Sequence, residues 1–168
     1  MEVQIRPARE SDIPELARLT AAIAAYHEAV DDRVSFDWEE IRDAPNWLKR
    51  ILGSDDHAIW VAEHLDKGAG DGKLVGFLRV RLNRHRQGYL PKVTGYINNA
   101  FMDEAWRGKG LMKPMLELAY DWFRAKGITT VTLSVLHRNW IGSAAWHKLG
   151  FEDWNEERQL VLKPRRQS

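Results

Sequence analysis

The chain contains no cysteine. That absence removes a thiol nucleophile, a thiolate zinc site, a disulfide framework and thiol redox chemistry together. A surplus of either charge is also missing. The 25 Lys plus Arg stand against 24 Asp plus Glu, a formal net charge of +1, so nothing in the overall balance pulls the protein toward nucleic acid or an anionic membrane. No run approaches the roughly 18 apolar residues of a membrane-spanning helix. The opening MEVQIRPARESD lacks the apolar stretch of a secretory signal and is too acidic for a transit peptide, so the cytoplasm is the simplest address. Internal repeats and linkers rich in Ser, Gly or Pro are absent too. What remains is 168 residues with 44% hydrophobic composition, read as one domain over residues 1–168 that buries about 70% of its unfolded surface. Eight tryptophans are unusual in so short a chain, because each is large, stiff and carries an N–H that needs a partner when buried.

Val3 and Ile5 alternate with polar neighbours before Pro7 and predict a short first strand. After Ser11, residues Ile13, Leu16, Leu19, Ala22, Ile23 and Tyr26 recur at helical spacing, with Pro14 tolerated in the first turn. Asp37 and Glu40 resemble a capping box for a second helix, which Pro45 interrupts before Trp47, Leu48, Ile51 and Leu52, and which Gly53 closes. A hairpin of longer strands follows, from Ala58 to Leu65 and through LVGFLRVRL, joined by DKGAGDGK. A polar loop from Asn83 to Lys92 leads into the strand VTGYINNAFM. The stripe of Met112, Met115, Leu116, Ala119, Trp122 and Phe123 predicts a sheet-packed helix from about Leu111 to Lys126, ended by Gly127. ITTVTLSVL reads as a strand, NWIGSAAWHKLG as a helix capped by Asn139, and QLVLK as a last strand. The order describes a mixed α/β domain with one local, antiparallel half and one alternating half.

Chemistry concentrates in NNAFMDEAWRGKGLMKPML, where a strand runs into a glycine-containing turn and an amphipathic helix. Gly108 and Gly110 allow a tight turn and close backbone approach, and the unpaired N–H groups of a helical first turn favour an anion such as phosphate. Arg107 and Lys109 add two cations. Pro114 falls at the fourth position of a helix starting at Leu111, where no N–H is needed. The spacing fits neither a P-loop nor the dinucleotide fingerprint. Taken alone, RGKG is equally well read as a solvent-facing turn.

The segment resembles the acyl-CoA-binding motif of the GNAT superfamily of N-acetyltransferases, Arg/Gln-x-x-Gly-x-Gly/Ala after a strand. Downstream, LSVLHRNWIGSAAWHKLGF resembles that family's second motif, with Asn139 followed at the helix end by Gly150 and Phe151. The opening IRPARESDIPEL is similar as well, so the resemblance covers essentially the whole chain. It implies a mixed, mostly antiparallel sheet of six or seven strands with about four helices, splayed at an acetyl-CoA site. By the same resemblance the cosubstrate's pyrophosphate lies on the turn formed by Arg107, Gly108, Lys109, Gly110, Leu111 and Met112. Phe101 and Met102 then pair through their backbones with the pantetheine arm, the Met102 N–H polarises the thioester carbonyl, and Asn139 meets the arm from the other side. The activity implied is acetyl transfer to a primary amine by direct attack, the acceptor being a small amine, polyamine, aminoglycoside or peptide amine. A homodimer is left open.

Two positions depart from the family pattern. Met112 stands where Gly or Ala is preferred, and Trp146 where many members carry a tyrosine proposed to protonate the departing thiolate. Indole is no general acid. Ser134, His137 or water are the candidate acids, and Glu63, or a water held by Asn98 or Asn99, the candidate base. The histidines His27, His57, His64, His85, His137 and His147 include no pair at i, i+4 spacing, and no metal is expected. Arg79, Arg81, Arg84 and Arg86 read as a solvated strand end, a ribose-phosphate contact or a nucleic-acid patch. The acidic group Glu28, Asp31, Asp32, Asp37, Glu39 and Glu40 reads as a solvated helix connection or as an attraction for a cationic acceptor. Two rival readings remain: a CoA-binding regulatory or interaction module, and a nucleic-acid-binding domain.

Overall fold

Alternating apolar residues place five strands side by side in chain order. The computed structural model, which describes residues 2–65, 72–85, 88 and 90–161, pairs β1 (Glu2–Pro7), β2 (His57–Leu65), β3 (Lys73–Arg84) and β4 (Val93–Met102) antiparallel. A three-residue strand, β5 (Val131–Leu133), joins β4 in parallel. Helices α1 (Ile13–Val30), α2 (Trp38–Arg42) and α3 (Ala44–Leu52) precede β2, α4 (Met112–Ala125) connects β4 to β5, and α5 (Trp140–Lys148) follows. The break between α2 and α3 falls at Asp43, where Pro45 enters the first turn of α3.

Among the described residues the sheet has five strands against the six or seven expected, and the difference lies at the C-terminal end. Of ITTVTLSVL only Val131–Leu133 pairs, because β4 and β5 part after Ile97 and Leu133. Within QLVLK, residues 159–161 form no strand and Leu162 and Lys163 lie outside the described residues. Leu160 and Val161 are 82% and 79% exposed. Alternation makes a strand only where a neighbour completes the ladder.

The sheet is covered on both faces. Toward α4 it buries Trp60, Val75, Leu78, Val80 and Ile97 against Met115, Leu116, Ala119 and Phe123. Toward α1 and α3 it buries Val61, Leu74, Phe77 and Phe101 against Leu16, Leu19 and Leu48. Each buried Val, Leu, Ile, Phe or Met among these contributes about 1.5–3 kcal/mol of transfer free energy. Among the described residues no helix is long and apolar enough to cross a membrane.

One buried ion cluster ties the first strand into this frame. The Arg6 guanidinium, 9% exposed, donates to both Asp12 carboxylate oxygens at 2.7 and 2.8 Å and, through Nε, to Glu63 at 2.7 Å. Burial pushes the Asp12 carboxyl up, but hydrogen bonds from Arg6 and the Arg9 N–H outweigh it and leave the group below its ordinary value. A depressed carboxyl stabilises the fold fully above its unfolded pKa of about 3.9 and loses that contribution as pH falls through the folded value. Asp12→Ala is therefore expected to reduce stability by about 3–5 kcal/mol in urea denaturation at pH 7. The difference from the native chain should narrow as the medium is acidified below about pH 4.

Candidate functional site

The site begins with one extra residue in β4. Arg79 pairs with Asn99 while the next residue, Val80, pairs with Ile97, so Asn98 is bulged out of the ladder. Ile97 and Ala100 both pack toward α4, which turns Asn98 and Asn99 together toward the α1–α3 face. The bulge also shifts the hydrogen-bonding phase. Gly95 donates to Thr130 on the β5 side, whereas beyond the bulge Asp103 donates to Val75 on the β3 side at 2.8 Å. Alternation then directs the main-chain groups of Phe101 toward β3 and those of Ala100 and Met102 toward the edge that β5 has left. Of the two expected strand contacts, Met102 presents its N–H outward and Phe101 does not. Phe101 contributes its ring instead, beneath Arg107 at 5.6 Å.

β4 passes through a 3₁₀ turn at Glu104–Trp106 into the glycine turn. Gly108 and Gly110 have φ of +71° and +77°, a left-handed backbone that side chains disfavour. α4 starts at Met112 with no side chain capping it, so its first N–H groups and its dipole face outward. Pro114 sits third in the helix, again where no N–H is needed. Met112 packs against the α4-side core, which removes its side chain from the turn and leaves its N–H. Arg107 is a brace: its Nε donates to the Met102 carbonyl at 2.9 Å, and its guanidinium lies over Tyr26 and Phe101. Lys109 lies over the Trp106 ring at 4.5 Å.

Across the open edge, the Asn139 side chain accepts from the Gly142 N–H at 3.0 Å and so caps α5. The same oxygen accepts from the Tyr26 hydroxyl at 3.1 Å, which joins α1 to α5 over the gap. Where β4 and β5 part, the Tyr96 hydroxyl donates to Ser134 Oγ at 3.1 Å. His137 is exposed, edge-on to Trp140. Trp146 stands edge-on to Phe151 at 5.2 Å and packs against the α4-side core.

Other candidates are engaged elsewhere. Glu63 is 14% exposed and held by Arg6, on β2, one strand beyond β3 from the gap. Four of the six acidic residues are engaged, while Glu39 and Glu40 stand exposed. Asp31 binds Arg33 and Arg138, Asp32 binds Arg138, Glu28 accepts from the Phe36 and Trp38 N–H groups, and Asp37 caps α2. The Arg33 hydrogen bond, foremost, holds the Asp31 carboxyl well below the usual range. Arg84 pairs with Asp56, and Arg86 lies outside the described residues. Arg79 and Arg81 lie over Trp47 and Tyr96, so these two are half-buried, while Arg84 is the solvated end of the strand. Among the described residues no group of three acidic or histidine side chains is placed to hold a metal.

Comparison with known proteins gives three findings. The family model described as the acetyltransferase (GNAT) family matches residues 20–151. No curated protein sequence matches. Solved structures share the fold. A mutant of the BH1408 protein from Bacillus halodurans is 22% identical with a TM-score of 0.78, over 95% of this chain and 99% of that one. A predicted acetyltransferase from Clostridium acetobutylicum, solved with acetyl-CoA, is 18% identical with a TM-score of 0.72, over 95% and 96%. An aminoglycoside antibiotic 6'-N-acetyltransferase from Acinetobacter baumannii is 14% identical with a TM-score of 0.70, over 98% and 99%.

A Cβ built at Gly110 meets nothing within 4 Å, so substitution there strains the backbone without a clash. Gly110→Ala is expected to cost about 1–2 kcal/mol in urea denaturation. Affinity for a pyrophosphate-bearing ligand should fall in titration calorimetry.

Proposed function

Because the chain belongs to the GNAT acetyltransferase family, we propose that it moves the acetyl group of acetyl-CoA to a primary amine by direct attack, without a covalent acyl-enzyme. One observation carries the reading. The outward main-chain edge of β4 continues into the uncapped first turn of α4, so backbone donors line one path long enough for a thioester arm and its pyrophosphate. In this reading residues 107–112 hold the pyrophosphate, Met102 offers its N–H to the arm or its carbonyl, and Asn139 closes the other side. Acetyl-CoA supplies an activated acetyl thioester.

The residues then have two protons to manage. An amine with a pKa near 10.4 must lose one before attacking, which costs about 4–5 kcal/mol at pH 7. Asn98 and Asn99, beside the bulge, are positioned to hold the water that takes it; they are not bases themselves. The leaving thiol, with a pKa of about 8.5, lies only about 2 kcal/mol from its neutral form at pH 7. Ser134, which accepts from the Tyr96 hydroxyl where β4 and β5 part, is the donor we assign. Trp146 has no part in the chemistry.

Titration calorimetry should register acetyl-CoA binding by the native chain and weaker binding, by about tenfold, for Arg107→Ala. No binding by the native chain would end the reading. CoA binding without thiol release over a broad amine panel would leave a cofactor-binding module and overturn the transferase.

Ser134→Ala should lower kcat by no more than about 30-fold at pH 7, the equivalent of 1.5 pKa units. The deficit should shrink as pH rises past about 8.5, where the thiolate leaves unaided. Trp146→Phe is expected to stay within about threefold of the native kcat.

A further inference from the structure

Among the described residues, three buried side-chain polar atoms have no partner: His57 Nδ1, Arg79 Nε and Asn98 Oδ1. They fall in one patch. His57 lies opposite Arg81 and Ile59 opposite Arg79 on β2, while Arg79 faces Asn99 and Arg81 faces Tyr96 on β4. Strands about 4.8 Å apart therefore bring two guanidinium groups alongside the bulge at Asn98, on the face toward α1 and α3. Trp47 lies over Arg79 at 5.0 Å and Tyr96 under Arg81 at 4.9 Å, which fixes both groups in plane.

No ion pair joins either arginine among the described residues. Among the described residues Arg81 donates to Asn83 alone, at 3.3 Å. The Nη groups of Arg79 are neither bonded nor among the buried atoms, so they still reach solvent. Burial, with Arg81 second, pushes the Arg79 guanidinium down to about 10, and the same burial and the two arginines push His57 down. Arg79 remains charged at neutral pH. Half-buried cations without a counter-ion are uncommon because they give up hydration without a replacement. Of the nearby carboxylates, Asp31 and Asp32 are already bound to Arg33 and Arg138, and Asp37 caps α2.

We infer that the acceptor is a small primary amine that also carries a carboxylate or phosphate, held by Arg79 and Arg81 while its amine meets the bulge at Asn98. Guanidinium forks match both anions bidentately. The inference rests on the acetyltransferase reading and sharpens it: Arg79 and Arg81 are residues that set specificity, and they leave the acetyl transfer itself to the gap between β4 and β5.

The test is a kcat/KM comparison of matched amines with acetyl-CoA: β-alanine against β-alaninamide, glucosamine 6-phosphate against glucosamine, and spermidine and kanamycin as cationic controls. The native protein should favour the anionic member of at least one pair by about 100-fold. Arg81→Gln should raise KM for that member, with the loss at least about tenfold heavier than for its neutral partner. Arg79→Gln should act in the same direction where a thermal melt shows it folded, and Arg81→Gln keeps the test available if it is not. Equal use of neutral and anionic members, preference for spermidine or kanamycin, or a uniform loss in Arg81→Gln would overturn the inference and leave the transferase standing. Failure of the native protein to bind acetyl-CoA would overturn both.

Discussion

An unpaired strand edge governs this molecule. Main-chain N–H and C=O groups inside a protein need partners, and β4 has them on both sides only as far as Ile97, where β5 turns away. From there to Met102 one side of the strand stands open beyond the end of β5. Such an edge invites pairing with whatever extended chain arrives. Here it is bounded rather than closed. The bulge at Asn98 sets which residues look outward, Arg107 takes the carbonyl of Met102 at 2.9 Å, and the Tyr26–Asn139 hydrogen bond spans the far side. The glycine turn and the bare end of α4 extend the same row of donors. A long ligand with amide groups at one end and phosphates at the other matches that row in order.

The distribution of charge follows a similar logic. With 25 cationic and 24 anionic side chains the chain has almost no surplus, yet the pairing is uneven. Asp31 and Asp32 are bound to arginines, Asp37 caps α2, and Arg6 holds two more. Among the described residues Arg79 and Arg81, half-buried beside the bulge, have no carboxylate partner. A neutral total therefore conceals a local cationic deficit of partners at the place where an acceptor would approach.

Local signals were legible in the sequence, and long-range ones were not. The glycines and helix around residues 107–112, the Asn139 cap and the apolar stripe of α4 depend on neighbours a few residues away, and each stands where the spacing put it. The Pro45 break is equally local. By contrast, Tyr26 meets Asn139 across 113 positions and Arg6 meets Glu63 across 57; nothing in either segment announces the other. Glu63 looked available because its alternation on β2 is visible and its counter-ion is not. Arg79 and Arg81 looked solvated for the same reason: period-two alternation puts them on one face, but only α3 decides that this face is covered by Trp47. Nor does any composition mark the bulge, which arises from the pairing of β3 with β4. Of the last predicted strand, residues 159–161 form none and stand exposed although they alternate, and the remaining two lie outside the described residues.

The most direct measurement is amide hydrogen exchange with and without CoA. Exchange at Ala100, Met102 and residues 108–112 should slow by about tenfold or more on saturation, while β1 and β2 amides hold their rates. Unchanged exchange at those positions, or protection confined to the Arg84 end of β3, would contradict a cofactor lying along the open edge of β4.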